Sequence, residues 1–81
     1  MKKEEVFIKL VGMLKDNFYL NDIEITEGSR IMEDLGISSF DAMLLIPEIE
    51  TSFAFEFSIK GLESIVTVGD LVEYIWRAKE G

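Results

Sequence analysis

The sequence predicts a small all-α protein, a bundle of three or four helices with a long ordered loop between the first and the second helix. Three segments of the 81-residue chain place apolar side chains at the 3.6-residue spacing of a helix that buries one face. Two of these segments begin with a hydroxyl side chain that an acid follows three positions later, which is typical of a capped helix N-terminus. The length fits a single domain over residues 1–81.

The first helix is predicted over residues 4–16, and a long connection follows it. Five apolar side chains of this helix share one face: Val6, Phe7, Leu10, Val11 and Leu14. Residues 17–37 have no sustained period, and a connection of that length is unusual in a compact domain. We expect its apolar residues to hold it against the core; they are Leu20, Ile23, Ile25, Ile31, Met32, Leu35 and Ile37. The pattern also allows a short turn of helix at residues 29–33.

The second helix is predicted over residues 38–53, with Ser38 as the N-cap and Ser39 as the first helical residue. Ser38 and Asp41 have the spacing of a capping box. The core stripe comprises Ala42, Leu45, Ile46, Ile49 and Phe53. Pro47 lacks the N–H that would bond the Met43 carbonyl, at a cost of ~3 kcal/mol. We therefore expect a kink, or a break near Ile46 and Pro47.

A second apolar set on this helix lies outside the core stripe. At about 100° per residue, Phe40, Met43, Leu44 and Pro47 point roughly 160° away from the centre of that stripe. Either another element covers them, or they are exposed for a partner. Methionine suits an adaptable contact surface.

The last third of the chain is predicted as a loop and a final helix. Residues 54–66 form an extended loop with the apolar anchors Phe55, Phe57 and Ile59, and residues 61–65 make at most one helical turn. Residues 67–78 form a helix that Thr67 and Asp70 cap. Its buried stripe is Val68, Leu71, Val72 and Ile75.

Composition excludes several classes of function. The chain has 8 basic and 16 acidic residues, with no Cys and no His. It therefore lacks a disulfide framework, a zinc–thiolate site, a cysteine nucleophile and an imidazole base, so we expect neither an enzyme nor a metal site. A net charge of −8 argues against nucleic acid as a partner. The sequence has neither a membrane-length apolar run nor a signal-peptide core, which predicts a cytoplasmic protein with no membrane partner.

The negative charge is concentrated in the middle of the chain. Residues 21–59 hold nine acids against the single base Arg30, which equals the whole net charge of −8. Such a surface either keeps the protein soluble or steers basic partners to it.

The segment around the second helix start resembles the acyl carrier protein family. It reads Asp34-Leu35-Gly36-Ile37-Ser38-Ser39-Phe40-Asp41, and the family pattern is Asp-Leu-Gly, a variable residue, then Asp-Ser-Leu. Other parts agree in order and spacing: Glu50 and Phe53 at the second helix end, Glu56-Phe57 after it, and Thr67-Val68-Gly69-Asp70-Leu71 at the last helix start. The resemblance covers nearly the whole chain and implies the helical bundle of that family.

The resemblance implies that Ser39 carries a 4′-phosphopantetheine arm. A hydroxyl in the first turn is exposed, and the attached phosphate would lie at the positive end of the helix dipole. Because the chain has no thiol of its own, the arm would supply the only one. The implied partners are a phosphopantetheinyl transferase and enzymes that load and process acyl groups through basic or apolar docking patches. We expect the carrier to be a monomer.

Four departures from the family pattern bear on partner docking. Ser38 replaces an Asp, Phe40 replaces a Leu, Leu44 stands where many members have an acid, and Pro47 interrupts the helix. These changes predict a specialised carrier of a lipid or polyketide-like pathway. Its candidate docking residues are Ser38, Phe40, Asp41, Met43, Leu44, Glu48 and Glu50. Two alternatives are an aminoacyl or peptidyl carrier of the D-alanyl type, and an unmodified helical adaptor that binds through the face of Phe40, Met43, Leu44 and Pro47.

Overall fold

A computed structural model describes residues 1–80 and contains four helices. They are α1 (Lys3–Phe18), α2 (Ser39–Phe53), α3 (Ile59–Glu63) and α4 (Val68–Glu80). Within the described residues the extended pairing is a single bridge between Arg30 and Thr67. The predicted all-α bundle is therefore confirmed.

α1 follows the predicted stripe and is longer than predicted. Val6, Leu10 and Leu14 are buried and α1 packs against α4. The helix ends at Tyr19, which has the left-handed backbone conformation (φ 55°) and donates its N–H to the Lys15 carbonyl. This left-handed cap places the end of α1 two residues beyond the predicted one.

The loop between α1 and α2 is ordered by buried anchors and by backbone bonds to the start of α4. Leu20, Ile25, Leu35 and Ile37 are buried. The prediction was wrong for Ile23 and Met32, which are exposed, and turns at residues 31–35 replace the short helix. Three backbone bonds join the loop to the start of α4: Ile31 N–H to Val66 O (3.0 Å), Val68 N–H to Ser29 O (2.9 Å) and Gly69 N–H to Glu27 O (2.8 Å).

α2 begins as predicted and runs through Pro47 without a break. Ser38 Oγ accepts the Asp41 N–H at 3.1 Å, which confirms Ser38 as the N-cap. The expected break at Pro47 is wrong, whereas the expected kink stays a prediction. Pro47 and Met43 lie on the exposed side of α2, where water can bond the Met43 carbonyl that has lost its helical donor. The helix ends at Ala54, another left-handed residue (φ 56°).

α3 and α4 each begin at a hydroxyl cap. α3 starts two residues before the predicted turn because Ser58 Oγ accepts the Gly61 N–H at 2.9 Å. At α4, Thr67 Oγ1 accepts the Asp70 N–H and Asp70 Oδ2 accepts the Thr67 N–H, both at 3.0 Å. The predicted capping box is thus confirmed.

The core lies between α1, α2, α4 and the long loop. The predicted stripe of α4 is buried, as are Leu45, Ile49 and Phe53 of α2. α3 contributes no fully buried side chain, so it is the element held least by the core. Among the described residues, no helix combines the length and apolar character needed to cross a membrane.

Candidate functional site

Ser39 occupies the first position of α2 with an exposed side chain. The two adjacent serines have different roles, because Ser38 uses its Oγ to cap the helix. The Oγ of Ser39 lies 3.8 Å from the Sδ of Met32, and a thioether is only a weak acceptor. The Ser39 hydroxyl is therefore open to modification.

The start of α2 is also an electrostatic feature. A helix leaves its first backbone N–H groups without helical partners, and its dipole places partial positive charge there. α2 is 15 residues long, which is enough to develop that field. An anion attached to Ser39 would face these groups, which is the arrangement that helix N-termini provide for phosphates.

An apolar cavity of about 560 Å³ opens beside Ser39. Its walls come from α2, from α3 and the residues around it, from the long loop, from Leu14 and Phe18 of α1, and from Leu71 of α4. They include Ile37, Ala42, Met43, Leu45, Ile46, Ile49, Phe57, Ile59, Leu62, Ile65 and Leu71. Along α2 the lining runs from Ser39 to Ile49, a distance of about 15 Å at 1.5 Å per residue. The cavity is thus long enough to take an extended hydrocarbon chain.

Charged groups of the loop form one part of the cavity edge. Arg30 and Glu33 line the cavity, and Arg30 forms ion pairs with Glu33 and, at 2.9 Å, with Asp34. The side-chain hydrogen bond between Arg30 and Asp34 lowers the pKa of the Asp34 carboxyl and raises the pKa of Arg30. The single base of residues 21–59 is therefore already paired, and this edge stays acidic.

The second apolar set of α2 is exposed. Phe40, Met43 and Leu44 are 68%, 65% and 65% exposed, and no described element covers them. This observation excludes the alternative that another described element covers them, and their use by a partner stays a prediction. We call these three residues the docking face.

The four polar docking candidates differ in what their side chains already bind. Asp41 is half-buried in the first turn of α2. Glu48 is exposed and accepts a bond from Asn17 Nδ2 at 2.8 Å. Glu50 accepts the Phe57 N–H at 2.8 Å in a half-buried position, so its carboxylate holds the loop after α2. Ser38 is used in capping.

Comparison with known proteins identifies the family of this chain. A family model described as the phosphopantetheine attachment site matches residues 8–75. The acyl carrier protein of Lactobacillus acidophilus is 39% identical over 75 residues, which cover 93% of this chain and 94% of that protein. The chain belongs to the acyl carrier protein family. The relative from Thermotoga maritima is 33% identical over 73 residues, 90% of each chain. The solved acyl carrier protein of Enterococcus faecalis has a TM-score of 0.78 and 34% identity, covering 96% of this chain and 99% of that one.

As an acyl carrier protein, the chain is a carrier and not an enzyme, and it bears 4′-phosphopantetheine covalently on a serine. Its family works with a phosphopantetheinyl transferase and with enzymes that process acyl groups. The residues present fit the group, because an exposed hydroxyl lies at a helix N-terminus beside an apolar cavity. This finding removes the basis for the alternative of an unmodified adaptor.

Two residues of this carrier were not recognised as site residues from the sequence. Met32 was expected in the core, yet it contacts Ser39 Oγ and lines the cavity. Tyr74 lies outside the predicted buried stripe of α4, yet its hydroxyl accepts the Ser58 N–H at 3.0 Å and so holds the start of α3. Neither role has a periodic signal, because each depends on how two separate segments meet in space.

Proposed function

We propose that Ser39 is the serine that carries the 4′-phosphopantetheine arm, and that the arm bears acyl intermediates of a specialised lipid or polyketide-like pathway. The observation that carries this proposal is the position of Ser39, exposed at the first turn of α2 beside the apolar cavity. Of the neighbouring serines, Ser38 has its Oγ in the helix cap and Ser29 is buried.

The chain's own residues anchor, orient and shelter the cargo. When bound, the arm supplies a thiol that holds acyl groups as thioesters. Ser39 anchors it, and the unpaired N–H groups of the first turn of α2 favour its phosphate. The apolar cavity excludes water from the hydrocarbon part of the cargo, and each methylene buried contributes about 0.8 kcal/mol.

The docking face supports a specialised set of partners. Three exposed apolar side chains at the start of a helix form a contact surface of the kind that marks protein–protein recognition. Asp41 and Glu48 lie on the same helix and supply negative charge. We infer that partner enzymes present an apolar patch with basic groups at its border, so that charge steers the encounter and apolar contact selects the partner. The cytoplasmic location, the monomeric state and the single domain stay predictions from the sequence.

The cavity favours an acyl cargo over the aminoacyl alternative. An amino acid carries a charged amine, and burial of that charge in an apolar cavity is costly. Acyl chains of increasing length should therefore shift the amide resonances of Leu45, Ile49 and Ile65, which line the cavity. Val72 is buried but does not line the cavity, so it serves as the control. Amide resonances that do not change with acyl chain length would favour the aminoacyl carrier.

The modification assay tests the attachment site directly. The chain is incubated with coenzyme A and a broad-specificity phosphopantetheinyl transferase, and the product is weighed by mass spectrometry. We expect a mass increase of one phosphopantetheine in the wild type and in Ser38→Ala, and none in Ser39→Ala. Ser38→Ala is the matched control because it removes the neighbouring hydroxyl and weakens the helix cap. Modification that survives Ser39→Ala would overturn the assignment.

A further inference from the structure

Phe57 lines the cavity near Glu50, well away from Ser39 along α2. Its backbone N–H donates to Glu50 Oε2 at 2.8 Å, and Glu50 directly follows Ile49, the last residue of α2 that lines the cavity. Ser39 and Glu50 are separated by about 16 Å along the helix axis. The Phe57 side chain also lines the cavity, so a chain that enters beside Ser39 and follows α2 meets this ring.

The Phe57 ring is supported from behind by two aromatic side chains that do not line the cavity. It stacks on Tyr74 with ring centroids 5.1 Å apart and an interplanar angle of 28°. Phe55 meets it edge-on at 4.7 Å. Neither Phe55 nor Tyr74 contributes to the cavity lining. The ring is therefore fixed between Tyr74 and Phe55 behind it and the bond to Glu50 beside it.

Tyr74 also holds the segment that follows Phe57. Its hydroxyl accepts the Ser58 N–H at 3.0 Å and lies 3.2 Å from the Ser58 Oγ. Gly61 in α3 packs so closely on the ring that an added Cβ would lie 2.2 Å from Tyr74 Cε2. One α4 side chain thus positions both Phe57 and α3, which lines a side of the cavity with Ile59 and Leu62.

We propose that Phe57 is the end wall of the cargo cavity and sets the longest acyl chain that the carrier shelters. The inference rests on the proposed function, since it requires that the cargo is an acyl chain in this cavity. A chain that reaches the ring has its methylenes out of water. A longer one must displace a side chain that is held on several sides, or leave its excess methylenes in solvent. Tyr74 acts on the limit only through Phe57 and α3, and is a positioning residue.

The experiment measures the melting temperature of the carrier loaded with saturated acyl chains of increasing length, each compared with the unloaded holo protein. The transferase attaches each chain from its acyl-coenzyme A. In the wild type we expect the gain in melting temperature to rise with chain length and then to level off. We call the chain length at which the gain stops rising the levelling point. In Phe57→Ala the levelling point should move to longer chains by roughly two to four methylene groups, because a ring-sized void admits additional carbon atoms.

Phe7→Ala is the matched control, because it removes a half-buried ring that packs on the core but neither lines the cavity nor contacts Phe57. Its levelling point should stay at the wild-type length although the protein is less stable. If Phe57→Ala does not fold, Phe57→Leu replaces it with a smaller expected movement. Tyr74→Phe and Gly61→Ala should each make the gain level off over a wider range of chain lengths. Tyr74→Phe does so because it releases Ser58, and Gly61→Ala because it forces α3 away from the Tyr74 ring.

The outcomes separate this inference from the proposed function. A wild-type gain that is absent at every chain length contradicts acyl shelter itself. A wild-type levelling point that Phe57→Ala and Phe57→Leu leave in place overturns the end-wall assignment while the acyl carrier function stands. An equal movement in Phe7→Ala also overturns it, since the limit would then follow the overall stability of the core and not the Phe57 ring.

Discussion

Replacement of Glu50 tests whether this acid stabilises the fold or only adds charge to the surface. Glu50→Ala removes the acceptor of the Phe57 N–H, a 2.8 Å bond in a half-buried position. A hydrogen bond to a charged acceptor contributes about 1.5–3 kcal/mol. Loss of one negative charge from a segment of net charge −8 returns a few tenths of a kcal/mol through reduced repulsion. The net expectation is a loss of about 1–2 kcal/mol in the free energy of unfolding.

Urea denaturation followed by circular dichroism measures that loss, and a thermal scan should show a melting temperature lower by roughly 5–15 °C for a chain of this size. Glu50→Gln keeps an acceptor oxygen and should lose about half as much. Glu56→Ala is the control, since Glu56 is an exposed acid on the same segment and surface changes stay within about 0.5 kcal/mol. Equal stabilities for Glu50→Ala and Glu56→Ala would refute the reasoning and return Glu50 to the list of docking residues.

Three further predictions follow from the caps and the charge. Ala54→Gly should raise the free energy of unfolding by about 0.5–1 kcal/mol in urea titrations. Alanine is strained in the left-handed conformation of the folded state (φ 56°), and relief of that strain outweighs the greater entropy of glycine in the unfolded state. A loss of stability would contradict this prediction. Hydrogen bonds from the Thr67 and Val66 N–H groups lower the pKa of Asp70 below 3.8, so its contribution is present above that pH and is lost as the pH falls through the lower folded value. The melting-temperature difference between wild type and Asp70→Asn should therefore be constant near neutral pH and shrink in acid, and a pH-independent difference would refute this. Added salt should raise the wild-type melting temperature because it screens the nine acids of residues 21–59, whereas a melting temperature that is flat in salt would mean that those acids do not repel one another in the fold.

The sequence was most informative where one local signal decides the structure. The capped starts of α2 and α4 were placed within one residue, because the Ser38 and Thr67 hydroxyls each accept the backbone N–H three positions later. The break expected at Pro47 did not occur. Helical spacing had already placed Met43 and Pro47 away from the core, where water can bond the freed carbonyl, but the expectation counted only the missing N–H.

The sequence likewise predicted some features of the candidate site and not others. Ser39 and the exposure of the docking face follow from helical spacing and from one family motif. The burial expected of Met32 was wrong, because apolar character alone does not tell a core residue from one at a cavity edge. The role of Tyr74 depends on a contact with a segment 16 residues away, between its hydroxyl and Ser58.

The backbone bonds between the long loop and the start of α4 make the loop side of the cavity more rigid than the α3 side. On the loop side, Ile31 and Val68 each donate an N–H across the junction, and α4 is packed on α1. On the other side, α3 has no fully buried residue and rests on side-chain contacts. Opening motions should therefore start at α3, with fast amide exchange at residues 59–63 and slow exchange at Ile31 and Val68. Cargo should then move in and out on the α3 side while Ser39, at the start of α2, keeps its position, so the proposed attachment point stays the same whatever the carrier holds.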